Sequence, residues 1–305
     1  MRKQKGQVNM KDQAKETKKV KKTTAAKKTT VTKKAAESSK TTTAKKATVA
    51  KKSPTAKKTT ASPKKAAAPK TAGQKTVVAK DKNDLIKLIE TAIKKNGTNC
   101  DLNFIDVSNV TDMSNLFMQS QFNGDISQWD VSKVQDMTFM FSQSQFNGDI
   151  SQWNVSKVKN MHDMFSESQF NGDISKWNVS NVTDMSGMFY GSQFNGDISQ
   201  WNVSKVKKML MMFQESKFTG DISKWNVSKV TNMSLMFDGS QFNGNISDWN
   251  VSNVTNMFSM FSNSRFNGDI SKWDVSKVKI IGMMFDDSPM KKKPPKWYKE
   301  SSLKK

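Results

Sequence analysis

From Phe122 onward, large apolar residues return every 24 positions. Phe122, Phe146, Phe170, Phe194, Phe218, Phe242 and Phe266 form one column; Trp129, Trp153, Trp177, Trp201, Trp225, Trp249 and Trp273 form another. One unit reads Phe-Asn-Gly-Asp-Ile-Ser-x-Trp-Asn/Asp-Val-Ser-x-Val-x-x-Met-x-x-Met-Phe-x-x-Ser-x. A degenerate opening unit sets Leu102, Ile105, Val107, Val110 and Met113 in the same register, and the closing unit ends at Phe285 and Ser288. A fixed period of roughly 20–50 residues marks a stacked array in which no unit buries its apolar face alone.

Within a unit, Ile126, Trp129, Val131, Val134 and Met137 follow a spacing close to that of a leucine-rich repeat. The alternation Gln128-Trp129-Asp130-Val131-Ser132 predicts a short strand with two side chains inward. Ser132 stands at a helix N-cap position, and Val134, Met137, Met140 and Phe141 recur at near-helical spacing, predicting one or two helical turns. Asn123-Gly124 predicts a tight turn. The expected fold is therefore α/β: a leucine-rich-repeat-like solenoid of eight units of about 24 residues, each a short parallel strand plus a short helix. Stack ends expose apolar surface and need covers. Asp84–Lys95 predicts an N-terminal capping helix with Leu85, Ile86, Leu88, Ile89, Ala92 and Ile93 on one face and Gly97 as its stop. Pro289, Pro294 and Pro295 halt the pattern, and Trp297 and Tyr298 are expected to fold back over the last coil. The organisation expected is a tail at 1–80, a cap and turn at 81–100, a solenoid at 101–288 and a second basic tail at 289–305.

The run Asp101-Leu-Asn-Phe-Ile-Asp-Val-Ser-Asn-Val-Thr-Asp-Met-Ser-Asn-Leu-Phe117, with the recurring Trp-Asn-Val-Ser-x-Val-x-x-Met-x-x-Met-Phe, resembles the BspA-type leucine-rich-repeat surface proteins. More narrowly it resembles the repeat domain abundant in Mycoplasma lipoproteins and present in some giant viruses and protists. The likeness covers about residues 82–298. It implies a leucine-rich-like solenoid and adhesion or protein binding, with no catalytic or cofactor residues to carry over. A basic tail stands where surface members have a signal or lipoprotein sequence, which favours an intracellular, nuclear or virion setting.

Charge changes the picture of the two ends. The net charge is +23, and residues 1–80 alone hold 25 Lys and Arg against three acids. Residues 81–288 carry 18 bases and 23 acids. The first 80 residues contain no Leu, Ile, Phe, Trp or Tyr, so they bury too little apolar surface to offset the entropy of ordering, and disorder is expected. Lysines come in pairs: Lys21-Lys22, Lys27-Lys28, Lys33-Lys34, Lys45-Lys46, Lys51-Lys52, Lys57-Lys58 and Lys64-Lys65. This composition, with Ser62-Pro63-Lys64-Lys65, resembles linker-histone tails and implies polyanion binding. Nucleic acid is the expected partner, bound through phosphates without sequence preference. A solubilising or nuclear-import arm, or attraction to an anionic membrane surface, is the alternative. The slightly acidic body is expected to take no part.

Candidate chemistry is sparse. The single cysteine, Cys100, excludes an internal disulfide framework. No apolar run approaches the roughly 18 residues of a membrane span, and the N-terminus lacks the apolar region of a signal peptide. His162 has no histidine counterpart in other units, and no phosphate-binding, dinucleotide, zincin or Cys-x-x-Cys motif is present. Asp125, Asp149, Asp173, Asp197, Asp221 and Asp269, with Asn245 in their column, are read as acceptors of turn hydrogen bonds in preference to a calcium ladder, because one Asp per coil supplies too few oxygens. The Trp column is read as core. The expected protein-binding face is the outward column Gln128, Gln152, Lys176, Gln200, Lys224, Asp248 and Lys272. No enzyme activity, cofactor or metal is expected. The sequence thus reads as a protein-binding scaffold whose tail contacts nucleic acid, or alternatively as a structural virion or matrix protein, or a surface adhesin.

Overall fold

The computed structural model describes residues 75–298. The tail lysines from Lys21 to Lys65 lie outside these residues, as do the last residues of the C-terminal basic segment.

The frame is a regular division of backbone donors. Along Met137–Ser144, the N–H groups of Met137, Phe139, Phe141 and Gln143 donate to the carbonyls of Asn160, His162, Met164 and Ser166 in the next coil at 2.7–3.0 Å. The intervening N–H groups of Met140, Ser142 and Ser144 close local turns onto the carbonyl three residues back. These donors are thereby satisfied, some between coils and some within one. The pattern repeats at 24-residue steps, and parallel bridges run Asp112–Asp136–Asn160–Asp184–Lys208–Asn232–Asn256–Ile280. The result is an open repeat solenoid held by a parallel ladder.

Interlocked turns demand unusual backbone. Two positions per coil, four apart, have φ between 51° and 67°: Phe139 and Gln143, Asp163 and Glu167, Gly187 and Gly191, Met211 and Glu215, and so on. Thirteen of these are not glycine, so the frame carries a left-handed cost of about 1–2 kcal/mol at each. This corrects the sequence expectation in two respects. The ladder lies at 136–143 and not at Gln128–Ser132, which forms two corners closed by the bonds Trp129 N–H to Ile126 O and Val134 N–H to Val131 O. The segment with helical apolar spacing is successive turns, and Ser132 caps no helix. The apolar positions match a helix because Met137, Met140 and Phe141 point inward from consecutive turns.

The core is a set of aromatic and aliphatic columns. Phe146, Phe170 and Phe194 stack at 6.3–6.4 Å with nearly parallel rings. A second column, Phe141, Phe165, Phe189 and Phe213, stacks at 5.7–6.0 Å. The columns touch each other at 4.3–4.4 Å. Each buried ring contributes about 1.5–3 kcal/mol by transfer alone, with about 0.5–1.5 more per aromatic pair. The seven tryptophans from Trp129 to Trp273 are 3–4% exposed, and each indole N–H donates to a carbonyl of the coil before, Leu102 for Trp129 and an Ile for the rest, as Trp201 does to Ile174 at 3.1 Å. The Asn-Gly pair serves packing more than turning. A Cβ on Gly196 would lie 2.9 Å from the Phe194 ring, while the Asn side chain accepts the next coil's N–H, as Asn171 does from Asn195 at 2.8 Å.

Both ends are covered. Helix α1 (Lys82–Asn96) is N-capped by Asp81, which accepts from Asp84 N–H at 2.9 Å, and ends at Gly97 with φ 84°. Leu85, Ile89 and Ala92 are its buried residues, a narrower face than the sequence suggests. Strand β1 (Val77–Val78), within the last residues of the segment expected as tail, pairs in parallel with β2 (Ile105–Asp106). At the other end a 3-10 turn at Pro289–Lys291 buries Met290. Trp297 then extends the Trp column, its indole N–H donating to Ile270 O at 3.0 Å, and Tyr298 meets Phe285 edge-on at 4.8 Å.

Gln143→Gly, an exposed left-handed position, is expected to stabilise the fold by about 0.5–1 kcal/mol, against the usual cost of glycine. Gly196→Ala is expected to destabilise it by about 1–3 kcal/mol through collision with Phe194, and Trp201→Ala by about 3–5 kcal/mol. Denaturant melts of the three variants check these signs.

Candidate binding surface

The ladder fixes which side chains alternate away from the aromatic core. In the opening coil these are Ser114, Asn115, Met118 and Gln119, and their counterparts follow every 24 residues, with Ser142, Ser166, Ser186, Ser234, Ser259 and Ser262 buried among their neighbours. The inward Met and Phe of the same segment hardly vary, whereas the column at 115 reads Asn115, Phe139, Asp163, Gly187, Met211, Leu235, Ser259 and Met283. The column at 114 holds Thr138, His162, Ser186, Leu210, Ser234 and Phe258 in later coils. One frame thus presents aromatic, aliphatic, acidic and small groups side by side. Across the four columns there are six acids (Asp163, Glu167, Glu215, Asp238, Asp286 and Asp287) and no Lys or Arg.

Polar groups on this face interlock between coils. His162 Nδ1 donates to Ser186 O at 3.0 Å, its Nε2 lies 3.0 Å from Asp163 Oδ2, and its ring meets Phe139 edge-on at 5.1 Å. Gly187 makes this possible, since a Cβ there would fall 1.8 Å from Asp163 Oδ1. Burial pushes the Asp163 carboxyl up, Asp184 and Glu167 push it the same way, and the His162 charge opposes them. Burial likewise raises Glu215, helped by Asp238 and Glu167, and raises the Tyr190 phenol beside the same acids. Asp184 differs: burial raises it, but the bonds from Ser186 and the Lys208 ammonium at 3.0 Å outweigh that and hold it below the usual range.

The outward column expected from sequence stands apart from the ladder. Gln128, Gln152, Lys176, Gln200, Lys224, Asp248 and Lys272 are exposed, but at the tip of the Ile126–Trp129 corner and apart from the ladder. Gln128, Gln152 and Gln200 spend an amide donor on the preceding serine hydroxyl at 3.1–3.2 Å. The Asp column takes its expected role: Asp125, Asp173 and Asp269 each accept the N–H of the serine two residues on at 2.9 Å. The signal for the ladder face was present as variation inside Met-x-x-Met-Phe, hidden by the helical reading of that segment.

An open repeat solenoid with an invariant core and varied outward columns defines the class of the protein. The family described as Mycoplasma protein of unknown function, DUF285, matches residues 86–193, 142–241 and 214–303, and the chain belongs to this family. The overlapping matches agree with the BspA-like Mycoplasma repeat proteins that the repeats resemble; the likeness of residues 1–80 to linker-histone tails is no part of them. No curated protein and no solved structure matches the chain. Among the described residues, no helix is long and apolar enough to cross a membrane.

Stability should follow pH in two phases. Asp173, Asp221 and Asp269 are held below the usual carboxylate range by hydrogen bonds from the backbone and hydroxyl of Ser175, Ser223 and Ser271. Their contribution is present above the unfolded value of about 3.9 and is lost as pH falls through the folded values. Asp163 and Glu215 are raised, so their ionised forms oppose folding, and that penalty disappears as pH falls through their folded values. The melting temperature is expected to rise as pH falls from 7 through the raised folded values of Asp163 and Glu215, and to drop once pH falls below the unfolded carboxylate value of about 3.9. Glu215→Gln should flatten the rise; a melting temperature that falls steadily from pH 7 would contradict this assignment.

Proposed function

We propose that the protein is a non-enzymatic binding scaffold: the ladder face engages a protein partner, and the basic tail contacts nucleic acid without sequence preference. Membership of a repeat family supports a protein-binding or surface scaffold at the coarse level. The observation that carries the finer reading is the contrast between an invariant inward set and an outward set that mixes Phe139, Met211 and Leu235 with Asp163, Glu215 and Asp238. Such a face fits a partner with complementary apolar and basic groups, since anchors come from the apolar residues and specificity from the charges. On this reading the solenoid has eight units of about 24 residues and is of leucine-rich-repeat kind, and the setting is intracellular, nuclear or virion.

The tail half of the reading rests on charge. Fourteen paired lysines on a segment without aromatic residues suit phosphate neutralisation and counterion release. Structural assembly through the solenoid is the second reading, favoured by the near-identity of the coils, and surface adhesion is the third, favoured by the family likeness.

Two variants of the full chain separate the surfaces. Phe139→Ser with Met211→Ser and Leu235→Ser is expected to lose a partner captured by the wild type, while Gln128→Ala with Gln152→Ala and Gln200→Ala retains it. The reverse outcome would move the site to the corner. For the tail, the probe is filter binding to duplex DNA at two salt concentrations. With the fourteen lysines changed to Gln, the log–log slope is expected to be shallower by about 0.9 for each phosphate no longer neutralised. An unchanged slope would remove the tail from the account.

A further inference from the structure

The second corner of each coil, Val131–Val134 and its counterparts, leads into the ladder past two exposed positions, 133 and 135. From residue 154 to residue 255, the columns at 130, 133 and 135 contain no acid. They hold Lys157, Lys159, Lys205, Lys207 and Lys229, all exposed, with Asn and Thr between them. None of these five is in an ion pair in the structure: the lysine pairs among the described residues are Lys82–Asp112, Lys208–Asp184 and Lys291 with Asp286 and Asp287. Lys205 instead reaches Asn181 Oδ1 at 2.6 Å and Lys159 reaches Gln135 Oε1 at 3.0 Å.

The neutral column beside them is informative. At 130 and its counterparts the side-chain oxygen accepts the N–H of the serine two residues on. Asp130 and Asp274 do this at 3.0 Å, and Asn154, Asn178, Asn202, Asn226 and Asn250 do it at 3.1–3.2 Å. The turn therefore accepts either residue. In the column at 125 the same bond is made by Asp at 2.9 Å in nearly every coil, with Asn245 equally competent at 3.0 Å. For folding alone, Asp would serve better beside the lysines, as Asp130 does near Lys133 and Lys157, whose charges help hold its carboxyl down. Asparagine takes the place of carboxylate from residue 154 onward, so that of the five lysines only Lys157, at the end of the strip, has such a neighbour, Asp130 of the coil before.

We propose that this strip, from Lys157 to Lys229, binds the phosphate backbone of a nucleic acid. Coils stack about 4.8 Å apart, so Lys157 and Lys229 are separated by roughly 14 Å, about four phosphates of one strand at roughly 3.4 Å of axis each. Neighbouring Asn side chains supply neutral donors for phosphate oxygens. No aromatic side chain lies in the three columns from 154 to 255, which excludes base stacking there and makes binding independent of sequence. Among the described residues, the exposed large apolar side chains, Val77, Val78, Met118, Ile280 and Met283, lie in β1 and the terminal coils, so the strip lacks the apolar groups that seat a protein on a lipid surface. The strip goes beyond the tail reading and departs from the sequence expectation that the body takes no part.

The test uses the full chain and a 20-base-pair duplex as probe. Amine acylation read by mass spectrometry is expected to show Lys157, Lys159, Lys205, Lys207 and Lys229 protected at least threefold by the duplex, with Lys94 and Lys95 of α1 unprotected. Replacing the five by Gln in the full chain should lower the log–log salt slope by about 3–4, at about 0.9 per phosphate, with the melting temperature retained. Full reactivity together with an unchanged slope would overturn the strip whatever the tail does; protection by a sulfated polysaccharide but not by the duplex would overturn its assignment to nucleic acid. A tail variant that keeps the whole wild-type slope would count against the tail alone.

Discussion

The structure depends on how each coil shares out its backbone hydrogen bonds. Alternate N–H groups of the segment from Met137 to Gln143 reach into the next coil, and those between them close turns at home. This is a denser arrangement than a flat strand, whose donors alternate between two neighbours. It draws each coil into successive turns while leaving a continuous parallel ladder. Its cost is the left-handed backbone at two positions per coil, and its compensation is the aromatic stack behind it. Phe and Trp columns touch along the whole repeat, so the strained turns cannot relax without opening the core.

That frame explains how function and fold are kept apart. Inward Met, Phe, Val and Trp are fully used by packing, and Asn, Gly, Asp and Ser are used by ladders and corners. The outward positions of the ladder, the corner tips and the columns at 133 and 135 are left to other duties, and there the units differ. Charge is segregated across them: six acids without Lys or Arg on the ladder face, lysines without acids on the strip. On the ladder face burial raises Asp163 and Glu215 and the neighbouring acids add to it, so placing these carboxylates there costs stability.

Much of this was legible in the sequence because the period of 24 is so regular. The core columns, the capping helix with Gly97 as its stop, and the turn role of Asp125 follow from spacing and residue type; the Asp81 cap, three residues before the expected start at Asp84, does not. The placement of the ladder did not follow. Gln128-Trp129-Asp130-Val131-Ser132 alternates polar and apolar residues because two corners in succession turn Trp129 and Val131 inward, and local pattern cannot tell that from a strand. Left-handed Phe139 and Leu235 carry no signature, since bulky residues disfavour that backbone on their own. The varied outward columns of the ladder went unread for the same reason, their variation falling in a segment read as helix. Trp297 stands 24 residues after Trp273, but Lys and Pro around it hid its place in the column.

Residue-resolved amide hydrogen exchange tests the ladder most directly. Met209, Met211, Phe213 and Glu215 donate to the following coil, whereas Ile281, Met283, Phe285 and Asp287 have no coil after them among the described residues. The expected result is strong protection of the first four amides and rapid exchange of the second four, with Asp130 and Ser132 no better protected than other corner positions. Strong protection running through Gln128–Ser132, with the Met209–Glu215 amides exchanging freely, would contradict the account.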